Sequence, residues 1–206
     1  DEPAAPGETI CDEESVSYPD VPQSAAHADA ISCAATLGIF SGRVDGTFNP
    51  VGHLSRGQAA TVLWRILDGF GVDLPDPDPT DSTVHARAIA SLTAAGVLSG
   101  YPDGSYRASQ PVTRQQLASM IDRASNLLAP YTDGDHPGFV DLTSGPHRAA
   151  VQRLAAAKIV HGLAPDGTRF GPNDPIRRDQ TATLLVRWHQ DQRTRRRTPT
   201  GIRRAG

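Results

Sequence analysis

The stretch GYPDGSYRASQPVTRQQLA, residues 100–118, combines an Asp-Gly turn, an aromatic residue, a proline and a hydroxyl–Arg–x–Gln step into an apolar run. Near-copies lie on both sides of it: GRVDGTFNPVGHLSRGQAA at residues 42–60 and GLAPDGTRFGPNDPIRRDQTA at residues 162–182. Recurrence at intervals of about 60 residues indicates tandem copies of one structural unit. The sequence therefore predicts three repeats.

A short amphipathic stretch precedes each Asp-Gly turn, most clearly in the second copy, where Ile89, Leu92 and Val97 are apolar. Apolar residues at helical spacing predict a first helix with one buried face. The equivalent residues are Ile31, Leu37 and Ile39 in the first copy and Val151, Leu154 and Ile159 in the third.

The end of this first helix is also predictable. Gly38 and Gly96 take a left-handed conformation at no cost, because glycine has no Cβ. Lys158 occupies the corresponding position in the third copy, where that conformation costs on the order of 1 kcal/mol. We expect the third copy's first helix to end differently or under strain.

A second helix follows each loop, and its start carries a capping signal. Ser55 with Gln58, and Thr113 with Gln116, have the spacing of a capping box, in which each side chain satisfies the other residue's backbone donor. The third copy has Arg177 in place of the hydroxyl residue. Half of its cap is therefore missing.

The loop between the two helices is predicted to be compact. Each loop has one Asp-Gly turn, at Asp45, Asp103 and Asp166. One carboxylate per turn is far short of the six to eight oxygen ligands that calcium takes, so these aspartates are interpreted as turn residues. The aromatic residues expected to fold each loop back onto its helices are Phe48, Tyr106 and Phe170.

Composition limits the partners. The net charge is −3 and the pI about 6.2, which gives no reason to expect nucleic acid, since such proteins usually carry a basic surplus. No apolar run approaches the roughly 20 residues of a transmembrane helix. The arginine-rich residues 193–206 are either a solvated tail or a weak docking site for a polyanion.

Two cysteines, Cys11 and Cys33, are what one disulfide needs. Such a bridge would tie the N-terminal arm to the first helix and suits an exported protein. The alternative is two unpaired small hydrophobic residues.

The residues match a known pattern. YPDVP at residues 18–22, GVLSGYPDGSY at 96–106 and VTRQQ at 112–116 resemble the S-layer homology (SLH) repeat, in a divergent, actinobacterial-like version. The resemblance implies a mostly α-helical module of three helix-loop-helix repeats with pseudo-threefold symmetry around a shared helical bundle. The predicted boundaries are an N-terminal arm at 1–16, repeats at 17–70, 76–129 and 138–193, and a basic tail at 194–206.

The resemblance also implies a function and a site. SLH modules generally hold secreted proteins on the bacterial cell wall by binding a secondary cell wall polysaccharide, often through a ketal-linked pyruvate. The arginine of the family's capped step meets the ligand's carboxylate, which here indicates Arg56, Arg114 and Arg178. A guanidinium fork and free backbone donors at a helix start both suit a carboxylate. The glycines where the family's backbone approaches the sugar correspond to Gly42, Gly100 and Gly162.

One departure from the family's pattern leaves a second hypothesis about function open. Wall-binding members place a tryptophan early in the first helix, and the equivalent positions here are Ala26, Val84 and Pro146. The leading hypothesis is a secreted, non-enzymatic module at the cell surface that anchors to wall polymer. The alternative is a protein-protein interaction scaffold of the same type that has lost glycan binding. Trp64 and Trp188, in second helices, are expected to pack.

Histidine recurs four residues before the first apolar position of each first helix, as His27, His85 and His147. If the first helices gathered around the threefold axis, three imidazoles would face one another, and three histidines plus water are a known zinc arrangement. The competing interpretation is three surface histidines that share a repeat position, and no metal is predicted.

The sequence gives no support for an enzyme. It contains no Gly-x-Ser-x-Gly, His-Glu-x-x-His or phosphate-binding loop motif. We therefore expect neither catalysis nor a cofactor.

Overall fold

The computed structural model describes residues 11, 15–78, 83–163 and 165–197. Most of the predicted N-terminal arm and residues 198–206 of the basic tail lie outside this range. The described part is mostly α-helical, as predicted. Its helices are α1 (Ala28–Thr36), α2 (Arg56–Gly69), α3 (Ala86–Ala94), α4 (Arg114–Ser125), α5 (Arg148–Ala156) and α6 (Arg178–Arg197).

The repeats pack as a closed ring. The second helix of each repeat packs against the first helix of the next, as α2 with α3 and α4 with α5. The third repeat closes the ring, because α6 packs against α1. The two ends of the helical region therefore meet.

Three backbone hydrogen bonds mark the centre of the ring. The N–H of Leu54 donates to Ile176 O (3.1 Å), that of Ile176 to Val112 O (3.1 Å), and that of Val112 to Leu54 O (2.9 Å). Each residue immediately precedes the cap position of a second helix, and all three are buried. This cycle relates the repeats by the expected pseudo-threefold symmetry.

One hydrophobic cluster runs through all three repeats. The aromatic residues after the turns join it, since Phe48 and Phe170 are fully buried and Tyr106 is half-buried. The turns themselves form as predicted. Asp45, for example, accepts hydrogen bonds from the backbone N–H (3.0 Å) and hydroxyl (2.6 Å) of Thr47.

The helix ends confirm the sequence signals. Capping boxes form at Ser55 and Thr113. In the third repeat only the glutamine half remains, where Gln180 Oε1 accepts from the N–H of Arg177 (3.3 Å). Lys158 takes the left-handed conformation that glycine takes in the other copies, with φ of 59°. The first helix of the third repeat therefore ends like the first helices of the other two repeats, and the backbone of Lys158 is strained there.

Two features concern the first and last described parts of the chain. Cys11 and Cys33 form a disulfide, which ties the described residue of the arm to α1. Helix α6 continues through Arg197, so the first residues of the predicted basic tail are helical. Within the described ranges, no helix combines the length and the apolar character needed to cross a membrane.

Candidate functional site

Each second helix begins with an arginine that reaches into the loop of the next repeat. Arg56 donates from Nε to Tyr106 O (2.9 Å) and from Nη2 to Ser99 O (3.2 Å). The corresponding bonds run from Arg114 to the carbonyl oxygens of Phe170 (2.7 Å) and His161 (3.2 Å), and from Arg178 to those of Phe48 (2.9 Å) and Ser41 (3.5 Å). Each guanidinium also lies 4.5–4.8 Å from the ring of the aromatic residue after the turn.

The backbone donors at these helix starts are occupied as well. The N–H groups of Arg56 and Gly57 donate to Gln110 O and Ala108 O, both at 2.8 Å, and the other two second helices repeat this pattern. The expectation that free backbone donors would help to hold a carboxylate is therefore wrong. The next repeat's loop already satisfies them. The contacts of each guanidinium use the N–H of Nε and one N–H of Nη2, which leaves the second N–H of Nη2 and both N–H groups of Nη1 for a ligand.

The three loop glycines are required by the loops themselves. A Cβ on Gly100 would lie 2.9 Å from Ser105 O, and one on Gly42 would lie 3.2 Å from Thr47 O. A Cβ on Gly162 would overlap the backbone of Gly167. Each glycine lets its loop close beside the Asp-Gly turn.

Two grooves assemble from these parts. The α4 groove, about 170 Å³, is lined by Arg56 from the first repeat, residues 99–101 and one face of α4 from the second, and His147 from the third. The α2 groove, about 500 Å³, is lined by Arg178, residues 40–44, one face of α2, Val84 and His85. Each groove thus draws on all three repeats.

The predicted site residues come together across repeat boundaries. Arg56 and Gly100 share the α4 groove, and Arg178 and Gly42 share the α2 groove. Arg114 reaches the carbonyl of the residue before Gly162. The arginine of one repeat therefore works with the glycine of the next.

The three histidines are kept apart. Nδ1 of His85 lies 2.8 Å from Thr61 Oγ1, that of His147 lies 2.7 Å from Ser119 Oγ, and that of His27 lies 2.8 Å from Thr183 Oγ1. They do not face one another, because each first helix packs on a different second helix. Within the described ranges, no three His, Cys, Asp or Glu side chains form a group that could hold a metal ion.

Burial lowers the pKa of His85 and His147 below the usual histidine value. The charge of Arg65 adds to this effect on the pKa of His85, and the charges of Arg123 and Arg56 add to it at His147. Both grooves are therefore electropositive around their histidines.

Sequence reasoning missed a second set of groove arginines. Arg65 lines the α2 groove and Arg123 the α4 groove. Arg187 has the same position in α6. The sequence does contain a signal for these arginines, which is their spacing. Each follows the first arginine of its helix by the same interval in all three copies.

The tryptophan-equivalent positions provide no aromatic ring. Val84 lies at the α2 groove and is 89% exposed. As expected, Trp188 packs in the core, where its Nε1 donates to Ser125 Oγ (2.9 Å). Trp64 is half-buried beneath Arg87, whose Cζ lies 5.9 Å from the ring centroid.

The three-fold arrangement corresponds to a known domain. The pattern of the S-layer homology domain matches residues 17–60, 80–118 and 139–182. The chain belongs to the S-layer homology domain family. Each match lies within one of the three predicted repeats.

The similar sequences lie within much longer proteins. An S-layer protein of Bacillus licheniformis is 30% identical over 173 residues, which cover 82% of this chain and 19% of that protein. The cellulosome-anchoring protein of Acetivibrio thermocellus is 29% identical over 116 residues, 53% of this chain and 26% of that protein. Cell surface glycoprotein 1 of the same organism is 31% identical over 119 residues, 52% of this chain and 5% of that protein. The chain thus matches about a quarter or less of each relative's length.

Proposed function

We propose that this module attaches to the bacterial cell wall by binding an anionic secondary cell wall polysaccharide in the grooves between its repeats, without enzymatic activity. The main support for this proposal is the charge of the side chains that line the two grooves. The chain has a net charge of −3, yet arginines line both grooves and no carboxylate does among the described residues. Guanidinium groups suit carboxylates and phosphates because they offer paired donors.

The site residues have distinct roles in this proposal. The acid group of the polymer, such as a ketal-linked pyruvate, meets the arginines, and the bare backbone of the loop glycines gives the sugar room. These residues are Arg56, Arg114, Arg178, Gly42, Gly100 and Gly162. The names of the relatives, which include S-layer and anchoring proteins, support attachment at the cell surface.

The test is co-sedimentation with purified cell walls, before and after acid extraction of their secondary polymers. We expect the protein to pellet with intact walls and to stay in solution with extracted walls, and free polymer should compete. A variant that ends at Arg197 controls for attraction through Arg203 and Arg204. Equal pelleting with both kinds of wall, or loss of binding on this truncation alone, would contradict groove binding.

One observation favours a protein partner instead. Val44 and Val84 are almost fully exposed, and both line the α2 groove. Exposed apolar side chains at a groove mark protein interaction sites. In that case Val84→Ser should weaken capture of a surface protein and leave wall binding unchanged.

A further inference from the structure

The three seams at which a second helix packs against a first helix are filled differently. Trp64, Asp122 and Val186 occupy the same position along α2, α4 and α6. Arg87 of α3 lies over the ring of Trp64, with its Cζ 5.9 Å from the ring centroid. Arg153 of α5 donates from Nε and Nη2 to the carboxylate of Asp122, at 2.9 and 2.7 Å. Two of the three seams therefore have a large or charged pair of side chains at this position.

The third seam, where α6 packs against α1, has smaller side chains there. Val186 is smaller than its counterparts in α2 and α4, and Cys33 of α1 stands where α5 has Arg153. A cavity of about 400 Å³ lies at this seam, lined by residues of α1 and α6 together with Cys11 and Ser15. Its volume is in the range of small-molecule sites, about 300–1,000 Å³.

One charge of each sign lies at this cavity. Asp29 belongs to α1 and Arg187 to α6, so each of the two helices contributes one charged side chain. They are the only charged side chains among the described residues that line it. The ion pairs within the described ranges involve neither of them. A carboxylate and a guanidinium are thus both available to a ligand.

The remaining lining of the cavity is small and neutral. Ala30, Val186 and the Cys11–Cys33 disulfide provide apolar surface. Ser32 and Gln190 add a hydroxyl and an amide that can donate or accept hydrogen bonds. This combination suits a ligand that has small apolar groups between two ends of opposite charge.

We propose that this cavity binds a short zwitterionic peptide with small apolar side chains, such as dialanine, whose ammonium group meets Asp29 and whose carboxylate meets Arg187. Such a ligand complements both charges at once. The inference goes beyond the proposed function and does not depend on it. The cavity is lined neither by the loop glycines nor by the arginines that begin the second helices.

The first experiment titrates the protein with L-alanyl-L-alanine at pH 7 while its backbone amide resonances are followed by NMR. We expect saturable shifts at amides of α1 and α6 beside the cavity, with a Kd on the order of 1 mM for so small a ligand. The absence of saturable shifts at these amides in a large excess of dialanine would overturn the inference.

Capped peptides assign each charge of the ligand to one residue. N-acetylation removes the ammonium group of dialanine, and C-terminal amidation removes its carboxylate. With the wild-type protein each cap should weaken binding by about 10-fold, the effect of losing a hydrogen bond to a charged group. With Asp29→Asn the acetyl cap should cause no further loss, and with Arg187→Gln the amide cap should cause none. Caps that have the same effect on all three proteins would contradict the assignment.

Asp68→Asn and Arg87→Gln are the matched controls. Each removes one charge of the same sign from another helix, outside the cavity. Both controls should bind dialanine as the wild type does. If they weaken binding as much as Asp29→Asn and Arg187→Gln do, net charge explains the effect and the proposed site is wrong.

Val186→Trp tests the cavity itself. It gives α6 the residue that α2 has at the same position, so the larger side chain fills space without adding charge. We expect the dialanine shifts to disappear while circular dichroism shows the helix content of the wild type. Ser32→Leu, at a half-buried position of α1, blocks the cavity from the other helix if the tryptophan variant does not fold. A folded variant of either kind that binds dialanine unchanged would refute the site.

The co-sedimentation assay separates this inference from the proposed function. Val186→Trp should pellet with intact walls as the wild type does, since it leaves both grooves unchanged. Dialanine binding without wall attachment supports the cavity and contradicts the groove proposal. Wall attachment without dialanine binding supports the grooves and contradicts the cavity.

Discussion

Protonation of His189 destabilises the folded state. Its ring centroid lies 4.8 Å from that of Phe70, and its Nδ1 is buried without a hydrogen-bond partner. Burial, reinforced by the charge of Arg193, lowers the pKa of His189 to about 4. An unfolded chain takes up this proton near pH 6.5. The unfolded state therefore binds more protons between about pH 6.5 and pH 4, and stability falls as the pH drops through that range.

Replacing His189 with Phe removes this titration and keeps an aromatic ring against Phe70. We expect His189→Phe to lose less unfolding free energy than the wild type between pH 6.5 and pH 4.5, as measured by urea denaturation. Carboxylates titrate equally in both proteins, so the difference between the two curves isolates His189. Parallel curves would show that its imidazole titrates alike in the folded and unfolded states.

The ends of the first helices show how tertiary structure overrides a local preference. Lys158 has φ of 59°, close to the 68° of Gly38 and the 74° of Gly96. It also closes its helix with the same type of backbone bond, from its N–H to Ala155 O (2.9 Å). The packing of the closed ring imposes the same helix-end geometry on all three repeats. Lys158 adopts this geometry at a cost in conformational free energy.

Lys158→Gly should therefore stabilise the protein by about 1 kcal/mol, because glycine adopts this conformation without a Cβ clash. The unfolding free energy from urea denaturation measures the change. The matched variant is Gly96→Lys, the reverse exchange at the equivalent helix end, which should destabilise the protein by a similar amount. A neutral or destabilising Lys158→Gly would show that the lysine is not strained.

Element boundaries were predictable where a few neighbouring residues decide them. The capping boxes at Ser55 and Thr113 close within four residues, so the sequence shows both partners. The end of α6 was not predictable in this way. Arg195 pairs with Asp191 (3.0 Å) and stacks on Tyr131 (4.6 Å), and Tyr131 comes from the linker between the second and third repeats. This contact joins segments far apart in sequence.

The closed ring also explains why the sequence showed only part of the site. The motif identified Arg56 and its equivalents, but their direction into the next repeat follows from the packing of α2 against α3 and of α4 against α5. Arg123 and Arg65 line grooves because the closed ring places the loop and helix of one repeat beside the second helix of another. Each of them therefore shares its groove with an arginine from another repeat. The histidines separate for the same reason, since each first helix lies on a different second helix.

A ring with one continuous core should unfold as one unit. Trp64 lies on α2 in the first repeat and Trp188 on α6 in the third, so each reports on a different repeat. In the single-tryptophan variants Trp64→Phe and Trp188→Phe, we expect the fluorescence midpoint in urea to coincide with the midpoint of helix loss by circular dichroism. Because Trp188 is fully buried, Trp188→Phe should lower both midpoints together. A fluorescence transition ahead of helix loss in either variant would mean that one repeat opens alone.

The contact that closes the ring provides the stricter test of this cooperativity. Arg178, 9% exposed, joins the third repeat to the first through Phe48 O and Ser41 O. Arg178→Gln removes these bonds at the closure and leaves the second repeat's own contacts in place. In a cooperative ring, this variant lowers the unfolding midpoint of the whole protein, and helix loss remains a single transition. If the repeats were independent, the second repeat would keep its original midpoint and the transition would become biphasic.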